Sequence, residues 1–90
     1  METQIKNLLL TKIDELETAL VKLHKTTETE DALEHVAGVC GAVDSTFTIF
    51  YHVHFNDINT AKYCLKEMRC TYKSTEEGDA IQEMQKILNR

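Results

Sequence analysis

Residues 46–55 read TFTIFYHVHF, and two foldings compete for them. Phe47, Ile49, Tyr51, Val53 and Phe55 are apolar or aromatic, while Thr46, Thr48, His52 and His54 alternate with them, as in a half-buried strand. The same residues also continue a helical register from upstream: Leu33, Val36, Cys40, Val43, Phe47, Phe50 and His54 recur at alternating steps of 3 and 4. A lone strand leaves its ladder groups unpaired, and no other segment offers a strand of matching quality. The stretch therefore reads as helix, with a strand paired to its own copy across a dimer as the alternative. Because Ile49, Tyr51, Val53 and Phe55 are apolar off the seam, this helix is nearly hydrophobic all round. Such a helix is either central in its domain or covered by another chain.

Upstream, Leu9, Ile13, Leu16, Leu20 and Leu23 form a helical seam within a helix from Thr3 to His24. Ile5, Leu8, Leu10 and Val21 widen its apolar face, which suits a bundle better than a two-stranded coiled coil. The polar stretch HKTTETED follows as a connection. Thr27 and Glu30 have the spacing of a capping box, so the second helix is expected to open near Glu28.

Downstream, FNDIN is the expected break. Asn56 and Asp57 cap helices well and serve badly inside them, so a third helix should start near Ile58 with Ala61, Leu65, Met68 and Tyr72 as its buried stripe. KSTEEGD closes that helix, and a last short one carries Ile81, Met84, Ile87 and Leu88. Without the break, the second and third helices would fuse into a rod of about 67 Å, too long for so small a monomer.

The chain has 90 residues, no proline and 3 glycines, the composition of long uninterrupted helices in one domain over 1–90. A domain of this size buries only about 60–65% of its unfolded surface, so association is expected. Three cysteines, Cys40, Cys64 and Cys70, follow no framework spacing and point to free thiols in a reducing compartment. The start METQIKNLLLTKIDE lacks the long apolar core of a signal peptide, and no apolar run approaches the roughly 20 residues of a membrane span. A cytoplasmic location and no membrane contact are the expectations.

The net charge of −5 is unevenly spread: residues 1–45 hold nine acids and four bases, residues 46–74 two acids and four bases. One basic segment in an acidic chain does not make a general nucleic-acid binder. Within it, Lys62, Lys66, Arg69 and Lys73 fall within roughly 60° of arc on a helix, with Tyr63 close enough to stack on a ligand. Like charges so placed repel unless anions lie nearby. The ridge is either a solvated face or a site for phosphates or an acidic surface.

His52 and His54 diverge by about 200° on a helix, and Cys64 and Cys70 also diverge, so no metal site is expected. Gly38 and Gly41 inside a helix each cost about 0.8–1 kcal/mol relative to alanine. Close approach of another helix is the expected compensation. No phosphate-binding glycine loop, H-E-x-x-H or G-x-S-x-G occurs, and neither catalysis nor a cofactor is expected.

The sequence thus predicts an all-α bundle of three or four helices, oligomeric, with a central apolar helix. The expected function is that of a small non-catalytic binding or regulatory protein, an inhibitor or adaptor, acting by helix-face contact with its own copy or another protein. Phe47, Phe50, Tyr51, His54 and Phe55 are the expected anchors. The alternative is a binder of a nucleotide or other phosphorylated small molecule on Lys62, Lys66, Arg69 and Lys73, possible also at a subunit interface.

Overall fold

A computed structural model describes residues 1–25, 30–71 and 75–89. Four helices form a bundle: α1 (Glu2–Lys25), α2 (Glu30–His54), α3 (Ile58–Thr71) and α4 (Thr75–Leu88). No strand occurs among the described residues. The stretch 46–55 belongs to α2 up to His54, and its threonines show how a helix accommodates them. Thr46 Oγ1 donates to the Ala42 carbonyl at 2.7 Å and Thr48 Oγ1 to the Asp44 carbonyl at 3.0 Å, so Thr46 is buried with its hydroxyl satisfied.

FNDIN does break the chain, by two interlocked caps. Asn56 takes a left-handed φ of 58°, a conformation that asparagine tolerates better than most residues. Its NH bonds the Val53 carbonyl at 3.0 Å while the Asp57 NH reaches the His52 carbonyl at 2.8 Å, which together close α2 in a Schellman motif. Asp57 then opens α3: its Oδ1 accepts from the Thr60 NH at 3.2 Å and its carbonyl from the Ala61 NH at 3.1 Å. Those bonds from the Thr60 side chain and backbone hold the Asp57 carboxyl below its ordinary pKa of 3.8.

α2 touches all three other helices, as expected of a central helix, and α4 also touches α1 and α3. The core joins Ile5 of α1, Ala42, Ile49 and Val53 of α2, Ala61 and Leu65 of α3, and Ile81, Met84, Ile87 and Leu88 of α4. The stripes expected on α3 and α4 are therefore the buried ones, apart from Met68, which is half-buried, and Tyr72, which lies outside the described residues. Thr27, of the expected capping box, also lies outside them, and α2 begins at Glu30.

The buried face of α2 corrects the sequence reading. Val39, Ala42, Ser45, Thr46, Ile49 and Val53 are buried, whereas Leu33, Cys40, Phe47 and His54 of the expected seam are exposed. Two apolar stripes run along this helix roughly 100° apart, and the one with smaller side chains faces the bundle. Bulky rings would hold α4 off; Gly38, Gly41, Ala42 and Ser45 let it come close. Leu20, expected on the α1 seam, is also 46% exposed, and Ile5 is fully buried in its stead.

By length and composition, α2 could cross a bilayer, contrary to the expectation that no run approaches a span. In this fold it is instead the helix that the other three pack against.

Candidate functional site

The three neighbours surround α2 in the order α1, α4, α3. α4 touches both α1 and α3, which do not touch each other among the described residues. The arc of α2 between α1 and α3 is consequently open along its length. Phe47, Tyr51 and Phe55 lie on it at helical steps of 4, at 54%, 51% and 64% exposure, and Leu33, Ala37 and Cys40 continue the stripe toward the start of the helix. Asp44, near the middle, and Glu30, at the start, carry charge on that arc.

The rings are held in relation to one another. Tyr51 and Phe55 pack with centroids 4.9 Å apart, and Phe50 stacks on His54 at 5.7 Å. His54 is also tied to α1, its Nδ1 lying 2.6 Å from Glu2 Oε1. That contact sets the edge of the open face on the α1 side. Leu20 lies 18 residues beyond Glu2, five full turns, and so shares that edge. Phe50 is half-buried against the core and supports the stripe from behind, so of the expected anchors Phe47, Tyr51 and Phe55 present the open face and the exposed His54 its α1 edge.

The exposed area is large for the chain. A compact monomer of this mass has about 5,400 Å² of accessible surface by size scaling, against 6126 Å² here. The radius of gyration of 13.7 Å likewise exceeds the roughly 12 Å of an ordinary domain of this length.

The glycine pair faces the start of α4. A Cβ on Gly38 would sit 2.8 Å from Glu76 Oε2, and one on Gly41 2.8 Å from Glu77 Oε2. Glu77 is buried and accepts a hydrogen bond from Ser45 Oγ at 2.7 Å, while Glu76 meets His35 Nδ1 at 2.7 Å on the surface. The close helix packing expected of Gly38 and Gly41 thus takes the form of space for two carboxyl groups in the first turn of α4, where the helix dipole favours negative charge. Nothing in the isolated sequence ties Ser45 to Glu77, 32 positions apart.

Lys62, Lys66 and Arg69 line a cleft of about 140 Å³ between α3 and α4, whose other walls are Leu65, Gln85, Leu88 and Asn89. No carboxylate lies within ion-pair distance of these three cations among the described residues. The cleft abuts the last turn of α4, where free carbonyls give a negative end that basic side chains complement. Lys73 lies outside the described residues, and Tyr63 is 63% exposed on α3 but is not among the residues lining the cleft. Among the described residues no three His, Cys, Asp or Glu side chains converge as metal ligands would.

No family model, no curated protein and no solved structure matches this chain.

Proposed function

We propose that this protein is a small non-catalytic binding or regulatory protein, of inhibitor or adaptor type, that works by docking the open face of α2. The observation that carries the proposal is the row of half-exposed rings, Phe47, Tyr51 and Phe55, on a helix whose other sides are packed. Aromatic side chains on a rigid helix make strong anchors because each removes a large apolar area from water with few rotatable bonds to freeze. The exposed free thiol of Cys40 on the same face suits a reducing compartment such as the cytoplasm.

Native mass spectrometry of the protein isolated from its own cells tests this. The wild type should carry a protein partner, whether its own copy or another chain, and Phe47→Glu with Tyr51→Glu should lose it at unchanged helix content by circular dichroism. A wild type that emerges alone, or a double variant that keeps its partner, would refute the proposal.

A second reading, favoured by the cleft between α3 and α4, is a site for a nucleotide or other phosphorylated small molecule on Lys62, Lys66 and Arg69, with the Gln85 and Asn89 side chains as added polar groups. The carbonyl end of α4 beside the cleft is a competing acceptor for the same cations. Binding of ATP or inorganic phosphate that is abolished by Lys66→Gln with Arg69→Gln, while association persists, would support it.

A further inference from the structure

We infer that the partner seated on the open face of α2 is a second copy of this chain, with the two α2 helices antiparallel about a two-fold axis near Asp44. This rests on the helix-face function proposed above and names its partner. Three observations support it.

The first is complementarity of size along the stripe. Its first half carries Leu33, Ala37 and Cys40, its second half Phe47, Tyr51 and Phe55. Antiparallel helices in one register bring Cys40 opposite Phe47 of the other copy, Ala37 opposite Tyr51 and Leu33 opposite Phe55, since each pair is centred on residue 43 or 44. Every ring then meets a smaller side chain. Parallel helices would stack ring on ring at one end and leave a gap over Ala37 and Cys40 at the other, against the tight packing that apolar interfaces require.

The second is area. A stable complex buries roughly 800 Å² of each partner. The molecule measures 44 × 25 × 17 Å, so its broad side is large enough for such a contact. The third is charge. Antiparallel copies oppose the two helix dipoles, which parallel copies would align. The five negative charges of each copy still repel one another, so added salt should tighten this contact, whereas it would loosen one held by opposite charges.

Sedimentation equilibrium on the full chain, with thiol cross-linking, tests the inference. A dimer is expected that strengthens between low and moderate salt, and Phe47→Glu should weaken it by at least about thirtyfold, the effect of losing an interface hot spot. Phe47 lies outside the core cluster, so circular dichroism of that variant should match the wild type. Orientation is read from Cys40 in a chain carrying Cys64→Ser and Cys70→Ser. In the antiparallel dimer the two Cys40 residues are about 10–12 Å apart along the axis, beyond the roughly 7 Å that a disulfide spans, so oxidation should leave them unlinked while Asp44→Cys cross-links.

A monomer at millimolar concentration overturns the inference, as does a dimer indifferent to Phe47→Glu. Ready Cys40 disulfides overturn the antiparallel order. Transfer of the chain from dimer to neutral phosphatidylcholine vesicles, abolished by Phe47→Glu, would make a lipid surface the occupant instead. A monomer that still holds a different protein through Phe47 and Tyr51 would overturn the self-association and leave the proposed function standing.

Discussion

Substituting alanine for each glycine in turn separates helix propensity from packing at the contact of α2 with α4. In a helix interior the exchange by itself stabilises by about 0.8–1 kcal/mol. At Gly78 no atom lies within 4 Å of the added carbon, so Gly78→Ala should keep most of that gain, about 0.5–1 kcal/mol so near the helix start. At Gly38 the carbon meets Glu76 Oε2 at 2.8 Å, but the rest of that carboxyl group is 3.4 Å or further away and the side chain is partly exposed. Moving that side chain weakens its surface contact with His35 Nδ1 at 2.7 Å, worth about 0–1 kcal/mol, which offsets the helix gain, and the net effect should fall within about 0.5 kcal/mol of zero.

Gly41 differs because its neighbour is buried. An added carbon would face Glu77 Oε2 at 2.8 Å, Cδ at 3.0 Å and Oε1 at 3.2 Å, on a side chain only 5% exposed and bonded to Ser45. Displacing it breaks a buried hydrogen bond, which costs about 1–3 kcal/mol. Set against the helix gain, Gly41→Ala should destabilise by about 1 kcal/mol. Urea unfolding at fixed protein concentration reads this as a fall of about 1 M in midpoint at unchanged slope, while Gly78→Ala rises by about 0.5 M. Ser45→Ala should destabilise too, and the pair with Gly41→Ala should fall short of the sum because both act on one carboxyl group. If Gly41→Ala proves as stable as Gly78→Ala, Glu77 is not held as described and the explanation for the glycine pair fails.

The linker between α2 and α3 offers a backbone test: Asn56→Gly should be neutral or slightly stabilising, and Asn56→Ala should cost about 1 kcal/mol in thermal or urea unfolding, because only the first keeps φ at 58° without strain. Asp57→Ala should lower the melting temperature and Asp57→Asn should restore most of it, since asparagine also caps a helix start. The Asp57 carboxyl is held below its ordinary 3.8 by Thr60, so its contribution is present above that pH and lost as pH falls through the lower folded value; the deficit of Asp57→Ala should shrink on acidification over that range. Asp44→Asn should tighten self-association severalfold in sedimentation, by removing two like charges beside the proposed axis.

Much of this architecture follows from local chemistry. The helical register through 46–55, the absence of proline, the Asn56-Asp57 break and the stripes of α3 and α4 are each set by neighbours a few positions apart, where spacing and capping chemistry act directly. The inward face of α2 was a different kind of problem. Two apolar stripes satisfied the same periodicity, and the larger residues Phe47 and Phe50 drew the sequence reading to one of them. The small residues Gly38, Ala42 and Ser45 marked the other, and their spacing is the signal from which it could have been found.

The tertiary structure decided between the stripes because helix approach is limited by the bulk of what lies between two backbones, a property of the pair and not of either helix. It also brought Ser45 to Glu77, His35 to Glu76 and His54 to Glu2, partners that no local pattern joins. Periodicity determined that α2 is a helix apolar on more than one side; only the packing of α1, α3 and α4 determined which side remains for a partner.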